Sequence, residues 1–87
     1  MVYRLELSRR AEKALRWLAQ NENILFGRVS AVLDSLELDP FQGKALKGEL
    51  MGRYSYRVGN YRIIYAVRRH ELLVLVIDIG HRREVYR

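Results

Sequence analysis

The chain has 87 residues, of which 16 are basic and 10 acidic, and it contains no cysteine. This length fits one domain that buries roughly 60–65% of its unfolded surface, and the lack of cysteine excludes disulfides and thiolate metal ligands. The charged N-terminus is unlike a signal peptide, and the longest apolar run, Leu72 to Ile77, is too short to span a bilayer, so we expect a soluble cytoplasmic protein without a membrane partner.

The net charge of +6 lies entirely in the second half of the chain. Residues 1–42 carry six basic and six acidic side chains, whereas residues 43–87 carry ten basic and four acidic ones. Thirteen of the sixteen basic residues are arginine, whose planar guanidinium pairs bidentately with phosphate. Because a one-sided positive field attracts phosphate backbones and acidic partners, this half predicts a surface that binds a polyanion.

The first third of the chain predicts a short strand followed by a helix. Residues 2–7 alternate in the manner of a strand with one buried side. Ser8 suits a helix N-cap, because its hydroxyl can accept a hydrogen bond from a free amide of the first turn. The helix that follows has one apolar face at helical spacing, made of Ala11, Ala14, Leu15 and Leu18.

A second helix is predicted after a break at Asn21 or Asn23. Its apolar stripe consists of Leu25, Val29, Val32, Leu33 and Leu36. Pro40 ends it, since proline lacks an amide donor and disfavours helical geometry in the residue before it. The two helices therefore form a hairpin with one apolar side.

The second half predicts a loop and three strands. Residues 41–52 contain three of the six glycines and two of the three lysines, which is typical of irregular structure. Strands are expected at about 53–58, 61–68 and 71–79, joined by a tight turn at Gly59-Asn60 and a weaker one at Arg69-His70. The run from Leu72 to Ile77 is apolar on both faces, as in a central strand. The predicted fold is α+β: one small domain over residues 1–87, with a two-helix hairpin on a mostly antiparallel four-stranded sheet in the order β-α-α-β-β-β.

The Gly59-Asn60 turn fixes a register for the last hairpin. It pairs Val58 with Tyr61, Arg57 with Arg62, Tyr56 with Ile63 and Ser55 with Ile64, and strand alternation then separates two faces. One face holds Arg53, Ser55, Arg57 and Arg62; the core face holds Tyr54, Tyr56, Val58, Tyr61, Ile63 and Tyr65. Two arginines directly across a ladder repel by up to ~1 kcal/mol, which an anionic ligand would relieve. The alternative is that Arg57 and Arg62 extend into solvent or pair with Glu84 or Asp78.

Other chemistries find little support in the residues. Two histidines without cysteine give no metal-ligand spacing, and no glycine-rich loop is followed by Lys-Ser/Thr, so neither a metal, another cofactor nor nucleotide hydrolysis is expected. His70 and His81 are a poor acid–base pair, because His70 falls in the turn at the far end of the strand that leads to His81. Tyr86 lies in a charged tail, where it could stack on a base, donate a hydrogen bond or anchor the C-terminus.

Three segments carry a resemblance to a known family. They are Lys-x-x-Lys-Gly (Lys44 to Gly48), Tyr-Arg-x-x-x-Tyr-Arg-Ile-Ile-Tyr (Tyr56 to Tyr65) and Gly-His-Arg-Arg-Glu-Val-Tyr (Gly80 to Tyr86). In this order the chain resembles the RelE-type toxins of the RelE/ParE superfamily of toxin–antitoxin proteins. The resemblance implies a ribosome-dependent endoribonuclease that cuts mRNA in the A site by attack of a ribose 2′-hydroxyl on the adjacent phosphate.

The resemblance also implies roles for four catalytic residues. Arg62 matches the arginine that stabilises the phosphate, and Arg82 matches the arginine at the leaving-group side. Tyr86 matches the tyrosine that stacks on or orients the nucleotide, and Arg53 matches one of two basic residues beside the attacking hydroxyl. The second of these basic residues is replaced by Ser55, which cannot carry positive charge.

The resemblance leaves alternatives open. Arg57 or His81 could supply the charge missing at Ser55, and Arg83 could exchange roles with Arg82. RNA or ribosome binding is expected of Lys44, Lys47, Ser55, Arg57, His81 and Arg83. The implied partners are a RelB-like antitoxin, the ribosome and mRNA. A ParE-like toxin that inhibits DNA gyrase, or a catalytically weak member that only binds the ribosome or RNA, are the alternative functions.

Overall fold

The structure, a computed structural model, describes residues 2–81. In chain order the elements are β1 (Arg4–Leu7), α1 (Arg9–Asn21), α2 (Asn23–Leu38), β2 (Lys44–Ala45), a short 3₁₀ turn (Gly48–Leu50), β3 (Arg53–Val58), β4 (Tyr61–Arg68) and β5 (Leu73–His81). The strands form one sheet in the order β1-β5-β4-β3-β2, with β1 parallel to β5 and the other pairs antiparallel. The predicted α+β architecture is confirmed.

The sheet has five strands rather than the four predicted. The additional strand, β2, lies within the predicted loop and pairs Lys44 with Ser55 and Ala45 with Tyr54. A strand of only two residues shows no period in the sequence, which is why the pattern of residues 41–52 indicated a loop. As a result, β2 brings the positive charge of Lys44 beside Ser55.

Both helices begin and end close to their predicted limits. The Ser8 hydroxyl accepts a hydrogen bond from the amide of Ala11 at 3.0 Å and donates one to the carbonyl oxygen of Ile77 at 2.6 Å. It therefore caps α1 and ties its first turn to β5. The helices meet at Glu22 rather than at an asparagine, and Glu22 makes no side-chain cap. As predicted, α2 ends just before Pro40.

The core lies between the helices and one face of the sheet. The tyrosines assigned to the core are confirmed there, since Tyr65 is buried and Tyr54, Tyr56 and Tyr61 pack against the cluster partly buried. Burying apolar surface contributes about 25 cal/mol per Å² and is the main stabilising term of such a core. The buried members are Ala11, Leu18, Val29, Leu33, Leu36, Val58, Ile63, Tyr65, Val74, Val76 and Ile79.

The turn before β5 is longer than predicted. It spans residues 69–72, so β5 starts at Leu73 instead of 71 and continues to His81. Leu72 has φ 49°, and its amide donates to the carbonyl oxygen of Arg69 at 3.2 Å. Left-handed backbone is uncommon for residues other than glycine, asparagine and aspartate, so the sequence offered no signal of this turn.

A bulge in β5 changes which residues reach the core. Ile64 pairs with Asp78 but the next residue, Tyr65, pairs with Val76, which leaves Ile77 as an extra residue. The shift allows Val76 and Ile79, three positions apart, both to be buried on the helix side. This explains part of the unbroken apolar run in β5, which is an interior strand of the sheet with a neighbour on each side, as the sequence predicted.

Tyr65 fastens the segment after α2 to the sheet. Its hydroxyl donates to the carbonyl oxygen of Pro40 at 2.8 Å and accepts from the amide of Gly43 at 3.0 Å. The Tyr65 ring stacks on Tyr54 with centroids 5.5 Å apart, and Phe41 meets Tyr54 edge-on at 5.7 Å. Burial raises the pKa of Tyr65 to about 12, although the hydrogen bond from Gly43 acts in the opposite direction.

Candidate nucleic-acid interface

The β3–β4 hairpin has the register that the Gly59-Asn60 turn predicts. All four pairs are observed, including Arg57 opposite Arg62 and Ser55 opposite Ile64. Because neighbouring side chains of a strand alternate between faces, the four polar positions share the face of the sheet that points away from the helices. We call this surface the open face; its members on the hairpin are Arg53, Ser55, Arg57 and Arg62.

Arg57 and Arg62 place two positive charges at the hairpin end of the open face. Arg57 is exposed, and its Nε lies 3.4 Å from the carbonyl oxygen of Gly59, while Arg62 is half-buried. Asp78 is engaged with α1, since its Oδ2 lies 3.3 Å from Nε of Arg10. Glu84, the other acid considered as a neutralising partner, lies outside the described residues. Two cations held side by side in this way can bind one phosphate with several charge-assisted hydrogen bonds.

Ser55 lies at the centre of the open face and is only 5% exposed. Its neighbour across β4, Ile64, is 4% exposed, so this part of the face offers little surface to a ligand. Across β2 the neighbour is Lys44, which is exposed. The sequence placed Lys44 among the binding residues but could not show that it stands beside Ser55, because β2 gave no periodic signal.

The structure does not bring His81 to the open face. It pairs with Tyr61, a residue of the core side, and the two rings meet edge-on with centroids 6.1 Å apart. His70 lies in the turn before β5, as predicted, so the length of that strand, about 26 Å at ~3.3 Å per residue, separates the two histidines. Lys47 is exposed and directly precedes the 3₁₀ turn, outside the strands.

Three predicted site residues lie outside the described part of the chain. They are Arg82, Arg83 and Tyr86, and their roles stay predictions. Within residues 2–81 no group of three histidine, cysteine or acidic side chains could hold a metal ion. No helix in that same range is long and apolar enough to cross a membrane.

Comparison with known proteins gives a consistent result. The sequence model of the family described as "ParE toxin of type II toxin-antitoxin system, parDE" matches residues 5–86. Toxin RelG of Mycobacterium tuberculosis is 34% identical over 65 residues, which cover 74% of this chain and 75% of RelG. The match therefore extends over most of both proteins.

Two solved structures share the fold. The toxin–antitoxin complex RelBE2 of M. tuberculosis contains a chain with 29% identity and a TM-score of 0.79, covering 94% of this chain and 100% of that one. A mutant of E. coli toxin RelE in the free state has 25% identity and a TM-score of 0.79, covering 99% and 92%. By its sequence match and its fold, this chain belongs to the ParE toxin family of type II toxin–antitoxin systems and is a RelE-type toxin of the RelE/ParE superfamily.

Proposed function

We propose that the protein is a ribosome-dependent endoribonuclease that cuts mRNA in the A site. The observation that carries the proposal is the placement of Arg57 opposite Arg62 on the open face, with Arg53 on the same face. Attack of a ribose 2′-hydroxyl on the adjacent phosphate forms a bond from phosphorus to the 2′-oxygen and breaks the bond to the 5′-oxygen of the next nucleotide. The 2′-hydroxyl loses its proton, the leaving 5′-oxygen gains one, and negative charge builds on the non-bridging oxygens in the transition state. Fixed arginines next to that charge stabilise the transition state, and removing one such donor typically costs about 3–4 kcal/mol.

Each residue has a distinct role in this mechanism. Arg62 stabilises the phosphate, and Arg53 lies beside the attacking hydroxyl. Arg82 acts at the leaving-group side, and Tyr86 stacks on or orients the nucleotide. Arginine is a poor general base because its pKa exceeds about 12. A site built from arginines therefore relies on charge and on positioning, with the ribosome holding the RNA in line for attack. Activity on free RNA should accordingly be weak.

The same proposal includes a protein partner and a location. The similar structure from M. tuberculosis is a complex of a toxin with its antitoxin. We propose that a RelB-like antitoxin binds this chain too and covers or distorts the open face. Since the ribosome and mRNA are the targets, the reaction takes place in the cytoplasm.

The test is to map mRNA 5′ ends on programmed ribosomes incubated with the purified protein. We expect new ends within the A-site codon for the wild type and none for Arg62→Ala. Arg9→Ala is the matched control, because Arg9 is an exposed arginine of α1 and lies in the helical layer. Intact mRNA with the folded wild-type protein would overturn the proposal.

A second candidate is inhibition of DNA gyrase. The observation that favours it is the match of residues 5–86 to the family described as ParE toxin. A supercoiling assay separates the two functions, because a gyrase inhibitor blocks supercoiling at stoichiometric toxin and leaves ribosome-bound mRNA intact. Tight ribosome binding without cleavage or gyrase inhibition would instead identify a member that only binds.

A further inference from the structure

Arg53 has a cation diagonally beside it on each neighbouring strand of the open face. On β2, Lys44 pairs with Ser55, two positions from Arg53. On β4, Arg53 pairs with Ala66, and Arg68 lies two positions further along. Diagonal neighbours on one face of a sheet lie roughly 7–8 Å apart, within reach of long side chains. We call Lys44, Arg53 and Arg68 the distal basic cluster.

No ion pair observed within residues 2–81 involves the distal basic cluster. All three side chains are exposed. Among residues 2–81, the ion pairs involve Glu6, Glu12 and Asp78, and each of these acids is paired with an arginine other than Arg53 or Arg68. Three like charges held on adjacent strands repel one another, so the arrangement lowers stability unless a polyanion binds there.

Two uncharged and nearly buried residues, Ser55 and Ile64, separate the distal basic cluster from the hairpin end of the open face. Arg53 and Arg57 are four residues apart on β3, or about 13 Å at ~3.3 Å per residue. Ser55 and Ile64 lie between them and are nearly inaccessible. Arg53, whose proposed place is beside the attacking hydroxyl, therefore stands between the hairpin end and the two cations that flank it, and Lys44 and Arg68 extend the positive charge of the open face to a further phosphate of the same strand.

We propose that the distal basic cluster is a second phosphate-binding site, which takes the phosphodiester backbone of RNA next to the segment held by Arg57 and Arg62. The inference rests on the proposed action on RNA. Lys44 and Arg68 supply the positive charge that Ser55 does not, and they act by binding and positioning the strand. Arg68 tests this proposal most directly, because it has no role in the proposed cleavage and its substitution changes only the second site.

The experiment measures binding of an eight-nucleotide 2′-O-methyl RNA, which lacks the attacking hydroxyl, between 50 and 200 mM salt. For single strands, each phosphate contact contributes about 0.7 to the slope of log K against log salt. We expect Arg68→Gln to weaken binding several-fold at low salt and to lower the slope by about 0.7. The double variant Lys44→Gln/Arg68→Gln should lower it by about 1.4. Arg9→Gln, with the same change in net charge, should leave the slope unchanged.

Two arms identify which RNA supplies the phosphates. The same binding measurement is made with the oligonucleotide and with empty ribosomes. If the variants lose affinity only for the oligonucleotide, the phosphates belong to messenger RNA; if they lose affinity only for empty ribosomes, the phosphates belong to ribosomal RNA. Equal slopes for wild type, Arg68→Gln and the double variant in both arms would overturn the second site. Neither measurement requires cleavage. If these variants lose affinity for RNA but the wild type never cuts mRNA, the proposed nuclease activity is wrong and the second phosphate-binding site stands.

Discussion

The hydroxyl of Tyr65 lies 2.8 Å from the carbonyl oxygen of Pro40 and donates a hydrogen bond to it. The same hydroxyl accepts from the amide of Gly43 at 3.0 Å, so one buried oxygen of β4 satisfies two backbone groups of the connection between α2 and β2. Lys44 follows Gly43 directly. This contact therefore links the core to the placement of a cation on the open face.

Removing the Tyr65 hydroxyl should destabilise the protein. In Tyr65→Phe the Pro40 carbonyl and the Gly43 amide both lose a partner, at a cost of about 1–3 kcal/mol for a buried polar group left unsatisfied. Urea unfolding followed by circular dichroism measures the difference. Tyr3→Phe is the control, because Tyr3 is a partly buried tyrosine for which no hydroxyl hydrogen bond is observed among residues 2–81. Equal midpoints for the two variants would contradict the role of this hydroxyl.

The raised pKa of Tyr65 predicts a loss of stability at high pH. Its pKa is about 12 in the folded protein against the ordinary tyrosine value of 10.0, so folding favours the protonated form. This contribution is fully present below pH 10 and is lost as the pH rises from about 10 through 12. A shift of this size corresponds to about 2–3 kcal/mol, because one pKa unit is about 1.4 kcal/mol. Unfolding free energies from pH 8 to 12 should fall more steeply for the wild type than for Tyr65→Phe, and parallel curves would contradict the assignment.

Gly43 should not tolerate a side chain. A Cβ at this position would lie 2.6 Å from the Tyr65 hydroxyl and 2.9 Å from the carbonyl oxygen of Ser55. We expect Gly43→Ala to cost about 1–3 kcal/mol through overpacking, and to weaken RNA binding by displacing Lys44. Gly27→Ala is the matched control, because nothing lies within 4 Å of its Cβ, and alanine inside a helix is favoured by about 0.5–1 kcal/mol. Thermal melts of both variants give the comparison, in which a tolerated Gly43→Ala would count against the contact.

Arg57→Gln should stabilise the protein and weaken its binding to RNA. The change removes one of two like charges directly opposite each other, so we expect a gain of a few tenths to ~1 kcal/mol at low salt together with weaker RNA binding. Arg57→Lys keeps the charge and serves as the control. At 1 M salt, where the screening length is about 3 Å, the stability gain should disappear. A gain that is independent of salt would show that repulsion between Arg57 and Arg62 is not its cause.

The sequence predicted the hairpin register because local signals agreed there. A Gly59-Asn60 turn and strict alternation in β3 and β4 leave only one pairing that buries the tyrosines and exposes Arg57. The missed features, in contrast, depend on distant contacts. The strand β2 exists because β3 offers it an edge, and the left-handed Leu72 is held partly by the amide of Arg4, which donates to its carbonyl oxygen at 2.7 Å.

In the candidate site, too, local patterns predicted some positions and distant contacts decided the others. Arg53, Arg57 and Arg62 could be grouped from the pattern of one hairpin, since strand alternation alone decides their face. The position of Lys44 beside Ser55 and the turning of His81 toward Tyr61 depend on neighbouring strands, which no local pattern specifies.

The strand order has a consequence for the timing of folding. β1 and β4 are joined in the sheet only through β5, which is the last strand among residues 2–81. A growing polypeptide that ends before Leu73 has both flanking strands but lacks the strand that pairs with each of them. Because long-range pairing of this kind must wait for its final partner, we expect the assembled fold to close only after β5 has been synthesised. A chain that stops before β5 would therefore lack the assembled sheet that carries the open face.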